Sequence, residues 1–60
     1  MWKNVHDESG SAPWVNTNQV AMINKSEDGK AILQLADGTA VFTDEDYEEL
    51  LVDWGILTLK

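Results

Sequence analysis

The residues best suited to chemistry lie near the N-terminus, where His6, Asp7 and Glu8 place the only imidazole beside two carboxylates. This combination could act in general acid–base catalysis if a rigid pocket held the groups and shifted their pKa values. The next residues, Ser9 to Ser11, are instead typical of a solvated loop near a chain end. No serine or threonine lies in a nucleophile motif, and no glycine cluster resembles a phosphate-binding loop. We therefore expect no catalytic residues, no cofactor and no enzymatic activity.

The sequence also offers little that would hold a metal ion. The chain has no cysteine and one histidine, so it lacks most of the ligands that zinc prefers. The acidic run from Asp44 to Glu49 supplies oxygen ligands, but an EF-hand loop needs a glycine at its sixth position, where this run has Glu49. We expect no metal site.

The charge balance excludes some partners. Eleven acidic residues stand against four lysines and no arginine, which gives a formal net charge of −7. Binding to a phosphate backbone depends on Lys and Arg displacing counterions, so direct binding to nucleic acid is not expected. No apolar run approaches the roughly 20 residues of a membrane span, and the first ten residues contain no signal-peptide-like stretch. We expect a cytoplasmic protein that does not enter a membrane.

The length predicts a single domain, 1–60, with a small core. A chain this short buries only about 60% of the surface that its unfolded form exposes, and without cysteines it has no disulfides to compensate. We expect Trp2 and Trp14 to serve this core rather than an exposed binding surface. Residues 1–13 are predicted to form a partly flexible N-terminal arm, because their second half has a loop-like sequence.

Two Asp-Gly dipeptides, Asp28-Gly29 and Asp37-Gly38, are the clearest structural signals. Asp-Gly supplies the positive φ angles of a two-residue type I′ hairpin turn, and strand-like residues flank both pairs. The pattern predicts a three-stranded antiparallel meander with strands at 20–27, 30–36 and 39–43.

Turn length sets the register of this meander. Two-residue loops would place Leu33 between Asn24 and Phe42. The predicted core face then consists of Val20, Met22, Ala31, Leu33, Leu35, Ala40 and Phe42. The other face would carry Ile23, Ile32 and Val41, which the N-terminal arm or a second copy of the chain would have to cover. A bulged three-residue loop would slip this register and exchange some of the assignments.

One amphipathic helix should follow the meander. Thr43 is the predicted N-cap, and the acids at 44–46 favour the positive end of the helix dipole. An apolar stripe at i, i+3, i+4 and i+7 faces the sheet and consists of Tyr47, Leu50, Leu51 and Trp54. Trp54 is expected to be a main stability element. Gly55 should end the helix as the C′ residue, with Ile56 contacting Leu51.

The predicted fold class is α+β, a small antiparallel β-meander of three to five strands packed by one C-terminal amphipathic helix. Residues 56–59 are β-prone and could add a strand that closes the sheet toward a small barrel.

The predicted partner-binding surface lies opposite the apolar stripe of the helix. At 100° per residue, the solvent side should carry Glu45, Glu48, Glu49, Val52 and Asp53. This negative surface should attract a basic protein. We expect a small non-enzymatic protein-binding or regulatory module, whose partner is another protein or a second copy in a homodimer. The alternatives are an acidic inhibitor that mimics nucleic acid toward a basic partner and, ranked below it, a small enzyme.

Overall fold

The computed structural model describes residues 1–58 and has the predicted α+β architecture. In chain order the elements are β1 (Trp2–Asn4), β2 (Trp14–Asn16), a 3-10 turn (Thr17–Gln19), β3 (Val20–Lys25), β4 (Lys30–Leu35), β5 (Ala40–Asp46) and α1 (Tyr47–Asp53). Strands β1 and β2 form a two-stranded antiparallel sheet, and β3, β4 and β5 form the predicted meander in that order.

Closure of the sheet toward a barrel is not supported. Within the part of the chain that the structure describes, neither sheet closes on itself. Residues 56–58 form no strand, and the last residue of the predicted closing strand, Leu59, lies outside the described residues. No helix within residues 1–58 is long and apolar enough to cross a membrane.

Both turns of the meander contain three residues rather than two. Ser26 donates its N–H to the carbonyl of Lys30 at 2.8 Å, and Gly29 donates to the carbonyl of Ser26 at 3.0 Å. Gly29 and Gly38 have φ values of +85° and +92°, so both are positive as predicted. Each glycine is the bulge residue of a three-residue hairpin loop, a common alternative to the type I′ turn.

The extra loop residue shifts the register by one, so the predicted pairing was wrong. Leu33 lies between Ile23 and Val41 rather than between Asn24 and Phe42. A shift of one residue turns a side chain to the opposite face of a sheet. Ile23 and Val41 therefore pack against the core. Three residues of the predicted core face are exposed instead, namely Met22, Ala40 and Phe42.

Strands β1 and β2 form the N-terminal hairpin. Its side chains point alternately to the core and to the solvent. Val5 and Val15 are buried and belong to the core with residues of β4 and α1. Trp2 and Trp14 are 62% and 67% exposed, so the expectation that they serve the core was wrong. The alternating positions along the two strands decide this outcome, because successive side chains point to opposite faces.

The same arm covers the outer edge of β5 through its backbone. Asp44 donates its N–H to the carbonyl of His6 at 2.7 Å, and Glu8 donates to the carbonyl of Phe42 at 3.0 Å. This pairing protects one edge of the meander. The strand at the other edge is β3.

Helix α1 begins later than predicted, because β5 continues through Asp46. Asp46 is the N-cap, and its carboxylate accepts the N–H of Glu49 at 3.1 Å. Thr43, the predicted cap, is buried in β5, where its hydroxyl donates to the carbonyl of Ala31 at 2.6 Å. Strand pairing across β4 and β5 has overridden the local capping preference.

The end of the helix agrees with the prediction. Gly55 has a φ of +77°, and Ile56 donates its N–H to the carbonyl of Leu51 at 2.9 Å. This is the pattern of a Schellman motif. Leu50 is buried in the core, and Trp54 is half-buried against it. The helix therefore presents its apolar stripe to the sheet.

Candidate functional site

The structure divides the five predicted partner-binding residues between two elements. Glu48, Glu49, Val52 and Asp53 lie on α1, whereas Glu45 lies in β5 because the helix begins at Tyr47. The three acids on the helix are exposed, and Val52 is half-buried. Their role in binding a partner stays a prediction.

Glu45 links the N-terminal arm to the meander. Its Oε2 atom accepts the backbone N–H of His6 at 2.9 Å and lies 2.9 Å from the imidazole Nδ1. The hydrogen bond from the His6 backbone, followed by the contact with its side chain, holds the pKa of Glu45 below its usual value. We therefore assign Glu45 a structural role within the fold.

The side chain of Asp7 organises its own turn. Its Oδ1 accepts the Ser9 hydroxyl at 2.6 Å, the Ser9 N–H at 3.0 Å and the Ser11 N–H at 2.9 Å. The Ser9 hydroxyl is the main cause of a lowered pKa for Asp7. Asp7 thus bonds within its own turn, whereas the carboxylate that contacts the His6 imidazole is that of Glu45. Among residues 1–58, no group of three or more His, Asp or Glu side chains is arranged to hold a metal ion.

The lysines cannot balance the acidic charge, because eleven acidic residues stand against four lysines. The Nζ atoms of Lys3 and Lys30 each lie 3.7 Å from a carboxylate, of Asp53 and Asp44 respectively. The Nζ atom of Lys25 lies 6.0 Å from the ring centroid of Tyr47. Exposed pairs of this kind stabilise a fold weakly, because water and salt screen them. The acidic excess therefore remains a property of the surface.

An open apolar groove of about 550 Å³, the α1–β3 groove, lies between the helix and the edge strand. Its half-buried apolar residues are Val20, Ile23, Tyr47, Leu51 and Trp54. Its exposed apolar residues are Met1, Ala21, Met22 and Ile56. Lys3 and Thr17, from the N-terminal hairpin, also line it.

The position of the helix explains why this groove is open. Helix α1 packs against β4 and β5. A helix is about 10 Å across, and neighbouring strands are about 4.8 Å apart, so one helix covers about two strands. The third strand, β3, therefore keeps part of its core face accessible. The groove was not predicted from the sequence, because the whole apolar stripe of the helix was assigned to the core. The sequence feature that could have predicted the groove was the presence of a single short helix for three strands.

The chain matches no known family model, and comparisons with curated proteins and with solved structures find no match.

Proposed function

We propose that this chain is a small non-enzymatic protein-binding module whose α1–β3 groove receives an apolar segment of a basic partner. The observation that carries this proposal is the groove itself, an apolar surface of core-like composition that remains open to solvent. Large contiguous apolar patches on a protein surface are a common feature of interaction sites.

The exposed side chains of the groove favour a protein ligand. Met1, Met22 and Ile56 are 71%, 53% and 60% exposed. Burying one such side chain completely contributes roughly 1.5–3 kcal/mol. Methionine side chains are flexible and adapt to the shape of a partner. A partner segment that placed apolar side chains here would extend the core across β3.

The backbone of β3 supports an extended partner segment. Ser26 pairs with Lys30 through a backbone hydrogen bond, so alternation along the ladder directs the N–H and C=O groups of Ile23 and Lys25 away from β4. An extended segment could pair with this edge, as in β-strand addition, and insert alternate side chains into the groove.

The charge of the neighbouring helix favours a basic partner. Glu48, Glu49 and Asp53 are exposed on α1, which forms one wall of the groove. In a chain with a net charge of −7, they would speed the approach of a Lys- or Arg-rich protein, and the rate would fall as salt increases.

Affinity capture from the native source with matched variants tests this proposal. Met22→Ser with Ile56→Ser removes apolar surface from the groove, and Phe42→Ser is the control, since Phe42 is also exposed but does not line the groove. We expect the parent and the control to retain the same basic protein and the groove variant to lose it. A protein retained equally by all three would contradict the proposal. A concentration-dependent dimer lost only in the groove variant would assign the groove to a second copy.

A second candidate function, inhibition by imitation of nucleic acid, draws on one further observation. Exposed carboxylates continue from β5 onto α1, at Asp44, Asp46, Glu48 and Glu49. Such a row could compete for the cationic surface of a nucleic-acid-binding protein. The test is competition between this chain and nucleic acid for the captured partner. Displacement by the parent, lost when Glu48 and Glu49 are changed to Gln, would support inhibition.

A further inference from the structure

The outer surface of the N-terminal hairpin presents two tryptophans on one face. Trp2 pairs with Asn16, and Asn4 pairs with Trp14. Directly paired residues, and residues two apart along a strand, share a face of the sheet. These four side chains therefore form one surface, the tryptophan face, on which the two indoles are diagonal neighbours.

Backbone hydrogen bonds of the hairpin, rather than contacts of the indoles, hold this face in position. Val5 donates its N–H to the carbonyl of Pro13 at 3.0 Å, and Thr17 donates to the carbonyl of Met1 at 2.7 Å. These bonds place the two tryptophan-bearing pairs at the non-hydrogen-bonded positions, where opposing side chains lie closest together. The valines of the inner face anchor the hairpin to the core. The backbone that carries the two indoles is therefore held by the hairpin itself and by its contact with the core.

We propose that the tryptophan face binds an arginine-bearing segment of a protein, with guanidinium groups stacking on Trp2 and Trp14. The charge of the molecule supports this choice. Lys3, the only lysine of residues 1–17, occupies the inner face and lies near Asp53. The chain as a whole carries a net charge of −7, so its field attracts a cationic segment.

The chemistry of the face favours arginine over other ligands. A guanidinium is planar and weakly hydrated, so it stacks on an indole and still donates hydrogen bonds from its edge. Asn4, which belongs to the same face, donates its Nδ2 to the carbonyl of Ala12, so its amide oxygen is the atom that could accept a hydrogen bond from a guanidinium. Lysine is a strongly hydrated point charge and lacks the planar surface. Nucleobases also stack on indoles, but the acidic chain would repel their phosphates.

This inference does not rest on the proposed function, because the two surfaces lie on opposite sides of the hairpin. Lys3 of the inner face lines the α1–β3 groove, whereas Trp2 and Trp14 lie on the outer face. Variants of one surface therefore leave the other intact, and either proposal can fail alone.

Titration with two synthetic peptides tests the inference. The first peptide is short, has both ends blocked so that they carry no charge, and contains two arginines separated by a glycine. Its control has lysines at the two arginine positions. The indole Nε1–H signals of the three tryptophans are followed by NMR. We expect the arginine peptide to shift the signals of Trp2 and Trp14 saturably and to leave Trp54 unchanged. Replacing either outer tryptophan with Ala should weaken binding roughly two- to fivefold, and the lysine peptide should bind more weakly than the arginine peptide.

Four results would overturn the inference. The first is the absence of any shift with the arginine peptide. The second is equal binding of the lysine peptide, which would show that net charge alone explains the binding. The third is tighter binding of a neutral oligosaccharide with the same shifts, which would assign the face to sugars. The fourth is concentration-dependent shifts without peptide, accompanied by dimerisation in sedimentation, which would assign the face to a second copy. The amide spectrum of each Ala variant checks that the fold is intact.

Discussion

Glu45 and His6 are 39 residues apart in the chain, yet the Glu45 carboxylate accepts the His6 backbone N–H at 2.9 Å and lies 2.9 Å from its Nδ1. This contact joins the arm to β5 beside the backbone bond from Asp44 to His6. It therefore helps to set the position of the hairpin relative to the meander.

Stability should depend on pH through Glu45. A carboxyl whose pKa is lower in the folded protein than its ordinary value of 4.5 contributes stability above that value, and the contribution is lost as the pH falls through the folded-state pKa. We expect Glu45→Gln to cost up to about 1 kcal/mol at neutral pH, since the pair is partly solvated. The difference from the parent should shrink below pH 4.5.

Urea unfolding of parent and variant across this pH range measures the effect. Glu27→Gln is the matched control, because it removes an exposed carboxylate from a turn. A difference between parent and Glu45→Gln that does not change with pH would contradict the assignment.

Leu33 should be the most sensitive core position. Its side chain is 0% exposed, at the centre of the meander. Leu33→Ala should cost about 2–5 kcal/mol, close to the whole stability of a domain with roughly 0.05–0.15 kcal/mol per residue. Trp2→Ala, on the exposed face, should change stability by no more than about 0.5 kcal/mol. Chemical denaturation of both variants tests the contrast, and a larger loss for Trp2→Ala would refute it.

Gly38 should resist substitution because of its backbone rather than its surroundings. Its φ is +92°, and a Cβ built there would meet no atom within 4 Å. Gly38→Val should therefore cost about 1–2 kcal/mol through backbone strain alone. Gly38→Asn should cost less, because Asn tolerates positive φ better than β-branched residues do. Equal urea midpoints for the Val and Asn variants would show that strain at this turn is unimportant.

The buried hydroxyl of Thr43 should stabilise β5. The ladder between β4 and β5 is irregular between Lys30 and Ile32, and the Thr43 hydroxyl donates to the Ala31 carbonyl there. Thr43→Val keeps the shape but removes this donor, so it should cost about 1–3 kcal/mol. Thr58→Val, at an exposed position after α1, is the control. Thermal unfolding that did not distinguish the two variants would argue against the role of the hydroxyl.

Features that depend on a few neighbouring residues followed from the sequence. The Asp-Gly pairs marked both turns, and Gly55 marked the end of α1, because glycine adopts a positive φ at little cost. The spacing of Tyr47, Leu50 and Trp54 identified the face of α1 that packs on the sheet. Each of these features is determined within one turn of helix or one hairpin loop, so no distant contact was needed to predict it.

Features that depend on distant contacts were decided only by the tertiary structure. A two-residue and a three-residue loop are both compatible with Asp-Gly, and one residue decides whether Ile23 or Met22 faces the core. Judged from its neighbours in the sequence alone, Thr43 could cap a helix. Pairing with β4, however, extends β5 beyond it to Asp46. Trp2 and Trp14 are exposed because side chains alternate between the two faces of the hairpin and Val5 and Val15 occupy the core-facing positions. The α1–β3 groove arises from the position of one short helix over three strands, and that position is set by the tertiary packing of α1 against β4 and β5.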